Sequence, residues 1–228
     1  MTGSTNADLL ALAREGASDG TWLYADQQTA GRGRQGRSWV SPLGNLYASG
    51  LVRLHPDDPP TSTLALVAGI AAIDVLQSYL PTENLRLKWP NDVLVGQAKL
   101  AGILLEREGD AVVIGIGANL ATHPTDLARP ATSIAALGGH IVPVRDVIVA
   151  LAERLSYWRN IWLREGVAPI AAAWAARAHP LGTPLAVDTG DPQRLAGVFD
   201  GLDRTGALRL RLADGSISVI HAGDVFLV

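Results

Sequence analysis

Residues 31–37 read Gly-Arg-Gly-Arg-Gln-Gly-Arg and residues 88–92 read Lys-Trp-Pro-Asn-Asp, and these two segments decide the fold. The first contains the Gly-x-Gly-x-x-Gly spacing of a dinucleotide-binding loop, but Ser41-Pro42 and a strand pattern follow where a helix should begin. An arginine–glycine arm for RNA would require many repeats and a basic chain. Two interpretations remain, a solvated loop or a mobile lid that binds an anion through backbone N–H groups and arginines.

The second segment ends a predicted strand, and its proline, asparagine and aspartate are also ordinary turn residues. Its lysine, amide and carboxylate would equally suit a polyphosphate with Mg²⁺. Residues 99–103, Lys-Leu-Ala-Gly-Ile, return across a predicted hairpin and should bring Lys99 close to Asn91 and Asp92. The chain has two lysines against 17 arginines, and both lie in these segments. Such positions favour a compact ammonium group over a planar guanidinium.

The composition excludes several classes of protein. The chain has 228 residues, 48% of them hydrophobic and 18% charged, with a net charge of −3, which excludes disorder and argues against a nucleic-acid-binding protein. The absence of cysteine excludes disulfides and thiol catalysis, and the five histidines lack metal-ligand spacing. No signal peptide is visible, and the apolar stretch at residues 64–73 is too short to span a bilayer. We therefore expect a cytoplasmic protein without a membrane partner.

Hydrophobic periodicity predicts an α+β fold in which a mixed β-sheet packs with helices. Helices are predicted from Thr5, Asn6 or Asp8 as the cap to about Glu15, and over residues 62–79, 144–165 and 169–177. Six strands are predicted before residue 117. Five short strands separated by Gly-containing turns after residue 182 predict a small β-barrel. The predicted domains are residues 1–180 and 181–228.

Further segments accompany the first three in chain order. They are Ser4-Thr5-Asn6, Gln28-Thr29-Ala30, Ser38-Trp39, Asn45-Leu46-Tyr47 and Gly115-Ile116-Gly117-Ala118-Asn119. Together the segments resemble the catalytic core of bacterial biotin–protein ligases, over nearly the whole chain. The resemblance implies a class II synthetase-like catalytic domain followed by a small SH3-like barrel. Because Ser-Thr-Asn starts at residue 4, we expect the monofunctional type, which lacks the N-terminal DNA-binding domain of regulatory members, and no binding to DNA.

The resemblance also implies an activity, which is the ATP-dependent formation of biotinyl-5′-AMP followed by transfer of biotin to a lysine of a biotin carboxyl carrier protein. The implied catalytic residues are Lys99, Arg34 and Asp92, with Asp92 as a base for the incoming lysine. The implied biotin-binding residues are Ser4, Thr5, Asn6, Gln28, Gly31, Arg32, Lys99 and Gly102. The implied ATP- or adenylate-binding residues are Arg32, Arg34, Arg37, Trp39, Asn91 and Asn119. Mg²⁺ would accompany ATP near Asn91 and Asp92.

Two alternatives remain open at this stage. A lipoate–protein ligase would share the fold and the adenylate chemistry, but its cofactor is an apolar chain, whereas the ureido ring of biotin requires polar contacts such as Ser4, Thr5 and Gln28. A non-catalytic binding homologue is the second alternative, and the presence of both lysines opposes it. Homodimers occur in the family, so a homodimer is possible for this chain.

Overall fold

The computed structural model describes residues 1–127, 129–140, 143–190 and 193–228, and it contains two antiparallel sheets. The first sheet has the strand order β1-β2-β6-β5-β4-β3. Its strands are β1 (Trp22–Tyr24), β2 (Leu46–Arg53), β3 (Leu85–Lys88), β4 (Asp92–Val95), β5 (Ala98–Glu108) and β6 (Ala111–Ala118). The α+β class is confirmed, but the described strand pairs of this sheet are all antiparallel, because short turns join β3 through β6 in succession.

Residue alternation along the central strand β6 assigns the two faces of this sheet. Val112, Ile114 and Ile116 point into the main hydrophobic core, whereas Ala111 and Val113 pack with Leu9 and Ala13 of helix α1 (Thr5–Arg14) in a second cluster. The α1 face also carries Gly115 and Gly117, the glycines of the predicted Gly-Ile-Gly segment. Because side chains alternate along β6, helices pack against both faces of the sheet. On the α1 face, Gly115 and Gly117 present no side chain.

Helix α1 begins one residue earlier than the sequence predicts. Ser4, in an extended conformation, is its N-cap, and its side chain accepts a hydrogen bond from the backbone N–H of Ala7. Thr5 and Asn6, the expected caps, lie inside the helix, and their side chains bond to other elements instead. The side chains of Thr5 and Asn6 therefore reach the space beside the first sheet instead of capping the helix.

Helix α2 (Leu64–Tyr79) is the centre of the main core and is buried on almost every side. With the preceding 3₁₀ turn it forms an apolar stretch, Thr61–Tyr79, of mean hydropathy 1.4, long enough to cross a membrane by length and composition. However, this stretch is 67% buried inside the protein. It packs between the first sheet and helices α3 (Val144–Glu165) and α4 (Val167–Arg177). This environment is that of a core helix in a soluble protein.

The second sheet has the order β10-β9-β8-β7-β11. Its strands are β7 (Pro184–Asp188), β8 (Leu195–Leu202), β9 (Leu208–Arg211), β10 (Ile217–Ile220) and β11 (Asp224–Leu227). Within the described residues β10 and β11 lie at opposite edges, so the sheet is open and the closed barrel expected from the turn spacing is corrected. The Val225 carbonyl of the edge strand β11 accepts a hydrogen bond from Lys88 of the first sheet at 3.1 Å.

The two sheets share one hydrophobic core. Leu185, Val187 and Phe199 of the second sheet belong to the same buried cluster as α2, and Trp174 of α4 packs edge-on against Phe199 with ring centroids 6.3 Å apart. Trp89 donates from Nε1 to the Gly206 carbonyl at 3.1 Å. The boundary at residues 180/181 remains a prediction, and the continuous core fixes the second sheet against the first.

One buried hydrogen bond joins α3 to the start of α2 and is a test of this packing. Trp162 donates from Nε1 to the hydroxyl of Thr63 at 2.7 Å, and both side chains are almost completely buried. We expect Thr63→Val to lower the free energy of unfolding by about 1–3 kcal/mol, because it leaves the indole N–H without an acceptor. Thr63→Ser keeps the hydroxyl and is the control in urea denaturation. Equal stability of the valine and serine variants would contradict this role.

Candidate active site

A cavity of about 520 Å³ lies on the α1 face of the first sheet, where the second sheet meets it. Strand β11 contributes Asp224 through Leu227 to its wall. The predicted site residues that line it are Ser4, Thr5, Asn6, Gln28, Arg32, Arg34, Arg37, Trp39, Asn91, Asp92, Lys99, Gly102 and Asn119. Gly31 lies just behind, where a Cβ atom would come within 2.5 Å of the Trp39 carbonyl oxygen. The structure thus brings the predicted residues together, while their roles remain predictions.

Three glycines form the floor of the cavity. Gly102 of β5 is paired with Gly117 of β6, and Gly115 follows on the same face two residues away. A Cβ atom at Gly117 would lie 2.6 Å from the Trp39 ring, and one at Gly115 would lie 2.3 Å from Oδ1 of Asn6. Glycine is therefore required because other groups approach the sheet backbone closely at these positions.

Buried polar side chains form the wall beside α1. The carbonyl oxygen of the Gln28 side chain accepts hydrogen bonds from the backbone N–H and the hydroxyl of Thr5 at 2.9 and 3.1 Å. Ser49 of β2 lies 2.6 Å from Oδ1 of Asn6, whose amide donates to Glu106 at 2.8 Å. These bonds orient the wall, and sequence reasoning missed Ser49 and Glu106, because nothing in a strand pattern distinguishes them.

Lys88, Asp92 and Lys99 form the charged centre of the cavity. The Asp92 carboxylate pairs through Oδ1 with the ammonium group of Lys99 at 2.6 Å and through Oδ2 with that of Lys88 at 3.2 Å. Burial by itself would raise the pKa of Asp92, but the two ammonium groups outweigh burial and hold the pKa below its ordinary value. Burial lowers the pKa of Lys88, against the opposing effect of Asp92. The predicted hairpin thus places Lys99 beside Asp92.

The glycine–arginine loop crosses the mouth of the cavity. Arg34 donates to the Asn91 side chain at 3.4 Å and to the Gly223 carbonyl at 3.3 Å, so it joins the first sheet to the second. Arg37 pairs with Asp224 at 3.0 Å. Arg32 pairs with Glu106 at 3.1 Å. Sequence reasoning missed Asp224, because its partners lie far away in the chain and no local signal marks it.

Trp39 covers the glycine floor from the loop side. The ammonium group of Lys99 lies 5.2 Å from the centroid of the Trp39 ring, a cation–π distance. The buried indole N–H of Trp39 has no hydrogen-bond partner within the described residues. Together these features make a pocket with an apolar floor, a polar wall and clustered cations, which suits an anionic small molecule with a polar end. Such a pocket, with cations held at its centre, fits the class of ligases that activate a carboxylate.

Comparison with known proteins agrees with this class. The sequence model described as "Biotin/lipoate A/B protein ligase family" matches residues 3–119, and that described as "Biotin protein ligase C terminal domain" matches residues 187–228. The chain belongs to the biotin/lipoate A/B protein ligase family. The resemblance found in the sequence motifs is therefore confirmed.

Relatives support the same assignment over nearly the full length. The chain is 41% identical to a biotin–[acetyl-CoA-carboxylase] ligase of Paracoccus denitrificans, covering 99% of this chain and 97% of that protein. It is 39% identical to one of Mycobacterium tuberculosis, with coverages of 99% and 86%. Biotin protein ligase of Aquifex aeolicus in complex with biotin and ATP superimposes with a TM-score of 0.85 at 27% identity, covering 100% of this chain and 96% of that one. The Leishmania major enzyme with biotinyl-5-AMP gives 0.67 at 28% identity, with coverages of 97% and 96%.

The lowered pKa of Asp92 predicts how its contribution to stability depends on pH. In the unfolded chain an aspartate has a pKa near 3.9. Because the folded pKa lies lower, the stabilisation is complete above the unfolded value and is lost as the pH falls through the folded value. We expect Asp92→Asn to cost about 3–5 kcal/mol at neutral pH, since the buried ammonium group of Lys88 and the partly exposed one of Lys99 lose their carboxylate. This deficit should shrink in acid.

Urea denaturation at several pH values, from neutral to acid, measures this effect. Glu108→Gln is the control, because Glu108 pairs with Arg14 at the solvent-exposed end of β5 and should contribute little at any pH. A deficit for Asp92→Asn that stayed constant between neutral pH and pH values well below 3.9 would rule out the predicted ion-pair contribution.

Proposed function

We propose that this chain is an ATP-dependent biotin–protein ligase and that the cavity carries both steps of its reaction. In the first step an oxygen of the biotin carboxylate attacks the α-phosphorus of ATP, and pyrophosphate leaves to give biotinyl-5′-AMP. In the second step a lysine amine of a biotin carboxyl carrier protein attacks the mixed anhydride, forms an amide and releases AMP. The single observation that carries the proposal is the lysine pair on a buried carboxylate beside a glycine floor, in a chain whose close relatives are biotin ligases.

Lys99 is the residue proposed for the first step. Two anions must approach each other for the carboxylate to attack the α-phosphate, so positive charge has to be held in place before they meet. The ammonium group of Lys99 is held by Asp92 at 2.6 Å and borders both the glycine floor and the loop. This location supports the proposal that Lys99 acts between the carboxylate of biotin and the α-phosphate of ATP.

The role of Asp92 follows from its pairing. Sequence reasoning predicts Asp92 as a base for the incoming lysine, but both its oxygens are paired with ammonium groups and its pKa is lowered. A carboxylate in this state is a poor proton acceptor. We therefore favour a positioning role, in which Asp92 fixes the directions of Lys99 and Lys88.

The polar wall suits biotin better than lipoate. Ser4, Thr5, Asn6 and Gln28 offer hydroxyl and amide groups beside the floor at Gly102, and a ureido ring can use both donors and acceptors. The apolar dithiolane ring of lipoate could make no hydrogen bonds to these groups, so they would favour a ligand that carries donors and acceptors of its own. Gly31 and Arg32 complete the proposed biotin side, where the glycine allows the loop to approach closely.

The nucleotide is proposed to lie along the loop. Arg32, Arg34, Arg37 and Asn91 provide donors for phosphate oxygens at the mouth of the cavity. Asn119 lines the same cavity, and its side-chain amide donates to the Thr132 carbonyl at 3.0 Å. It therefore also stabilises the segment that contains Thr132. Trp39 now lies on the glycine floor, and packing on adenine requires the loop to change position on ligand binding.

Mg²⁺ is assigned to the nucleotide substrate in this proposal. An ion bound by Asp92 would lie beside the two ammonium groups that already pair with its oxygens, and their positive charge would repel it; Oδ1 of Asn91 already accepts from Arg34. Those side chains therefore do not fit a resident magnesium site, and neither step of the proposed reaction depends on one. ATP would bring Mg²⁺ coordinated by its own phosphate oxygens.

The proposed protein partner is a biotin carboxyl carrier protein, as the names of the acetyl-CoA-carboxylase ligases imply for those relatives. Cytoplasmic location, a possible homodimer, and the absence of DNA and membrane partners remain predictions from the sequence. The glycine–arginine loop crosses the mouth of the cavity, so we expect it to move before a lysine side chain of a second protein can enter. A non-catalytic homologue would not need two lysines paired with one buried carboxylate.

Lys99→Ala is expected to reduce adenylate formation by about 10²–10³-fold, the typical effect of removing one preorganised donor. Lys99→Arg should not restore the rate, because a planar guanidinium cannot replace a compact ammonium group next to Asp92. The measurement is pyrophosphate release with biotin and ATP, accompanied by a thermal melt to show that each variant is folded. Release at the wild-type rate by Lys99→Ala would refute the assignment.

Arg34→Gly is expected to preserve adenylate formation but to impair retention of the adenylate. It removes the contacts that join the loop to Asn91 and Gly223, and a charge-assisted bond contributes about 1.5–3 kcal/mol. Biotinyl-5′-AMP should then escape and label lysines of an unrelated protein added to the reaction. Arg14→Ala, which removes an exposed arginine outside the cavity, is the control. Labelling no greater than that of the control would contradict the role.

A further inference from the structure

Arg129 lines the cavity but belongs to none of the segments that the sequence singled out. We propose that Arg129 is a further nucleotide-binding residue, which holds the β- and γ-phosphates of ATP and the pyrophosphate that they become. This role rests on the proposed function and concerns the part of the cavity around Asp224. It is supported by the backbone hydrogen bonds next to Arg129, by the contacts of its side chain and by the charges around Asp224.

The backbone next to Arg129 is tied directly to Lys99. Lys99 donates from its backbone N–H to the carbonyl of Pro130 at 2.9 Å, and its own carbonyl accepts from Thr132 at 3.0 Å. Ala131 consequently forms a parallel bridge with Lys99. Arg129 is followed directly by Pro130, so main-chain hydrogen bonds hold the segment next to it against Lys99.

The side chain of Arg129 is held on the side of the cavity formed by β11. Its guanidinium lies over the Phe226 ring, 4.2 Å from the centroid, and 3.5 Å from Oδ2 of Asp224. The side chain nevertheless keeps 38% of its surface exposed. Stacking fixes the plane of the guanidinium and leaves N–H groups available for a second anion, which is the arrangement that phosphate recognition uses.

Charge around Asp224 is unbalanced in favour of cations. Arg34, Arg37 and Arg129 lie within 4.0, 3.0 and 3.5 Å of this single carboxylate. One carboxylate can neutralise only one of three guanidinium groups, so the cluster retains an excess of positive charge without a ligand. A di- or triphosphate supplies the missing negative charge, and guanidinium groups bind it bidentately.

The position of the cluster distinguishes the outer phosphates from the α-phosphate. Lys99, proposed for the α-phosphate, pairs with Asp92 on the floor side, whereas Arg129 reaches Asp224 on the β11 side. The polar wall proposed for biotin is formed by α1 and Gln28, whereas Arg129 contacts Asp224 and Phe226 of β11. When the carboxylate oxygen bonds to the α-phosphorus, the bond from that phosphorus to the β-bridging oxygen breaks, and its electron pair leaves with pyrophosphate. Arg129 then stabilises the charge gained by that leaving group.

Arg129→Ala tests the assignment, and Arg194→Ala is a matched control. Arg194 also stacks on Phe226, at 4.0 Å from the centroid, but it pairs with Asp188 and does not line the cavity. Loss of Arg129 should raise KM for ATP, and the inhibition constant of added pyrophosphate, by about tenfold to a hundredfold, the equivalent of one charge-assisted hydrogen bond. Arg194→Ala should leave both constants unchanged.

Binding of preformed biotinyl-5′-AMP, measured by calorimetry, separates nucleotide recognition from a structural effect. The adenylate has no β- or γ-phosphate, so Arg129→Ala should bind it with wild-type affinity. If Arg129→Ala weakens adenylate and ATP equally, or if its constants match those of Arg194→Ala, the inference is wrong. A wild-type chain that forms no biotinyl-5′-AMP from biotin and ATP would instead refute the proposed function, and the two failures are therefore distinguishable.

Discussion

The pairing of one buried carboxylate, that of Asp92, with two lysine ammonium groups is the constraint on which this structure depends. Lys88 ends β3, Asp92 begins β4 and Lys99 lies on β5, so the three side chains fix the ends of adjacent strands at one place. Without the carboxylate, the buried ammonium group of Lys88 and the partly exposed one of Lys99 would repel each other. The same ion pairs that stabilise the ends of these strands also hold positive charge in place for two anionic substrates.

The second sheet completes this arrangement. Its edge carbonyl at Val225 accepts from Lys88, and its carboxylate at Asp224 gathers arginines from the loop of the first sheet. The cavity is therefore a joint product of both sheets, although every predicted biotin contact precedes residue 120. A small C-terminal sheet that contributes carbonyl and carboxylate acceptors can control how tightly the loop closes, because the loop itself has few apolar contacts.

Local patterns predicted most of the elements correctly. The apolar residues of α2, α3 and β2 predict the observed positions of these elements closely, because they mark the segments that the core buries. The core buries α2 on almost every side, β2 on both faces and α3 on one face. The same reasoning failed where distant partners decide. It predicted a closed barrel from the regular turns after residue 182, whereas β10 and β11 lie at opposite edges of an open sheet and β11 contacts Lys88 of the first sheet. It also placed the cap of α1 within the helix, because Ser4, Thr5, Asn6 and Asp8 are all capable of capping.

The sequence by itself determined the family, the α+β class and the segments that line the cavity, because motif spacing and periodicity are properties of neighbouring residues. Only the tertiary structure decided how those segments meet. It showed that both oxygens of Asp92 are occupied, which argues against the predicted base, and that Asp224 faces Arg37 from 187 residues away. It also brought Arg129 beside Lys99 through backbone bonds. Contacts of this kind depend on how two sheets pack, and no local pattern in the chain encodes that packing.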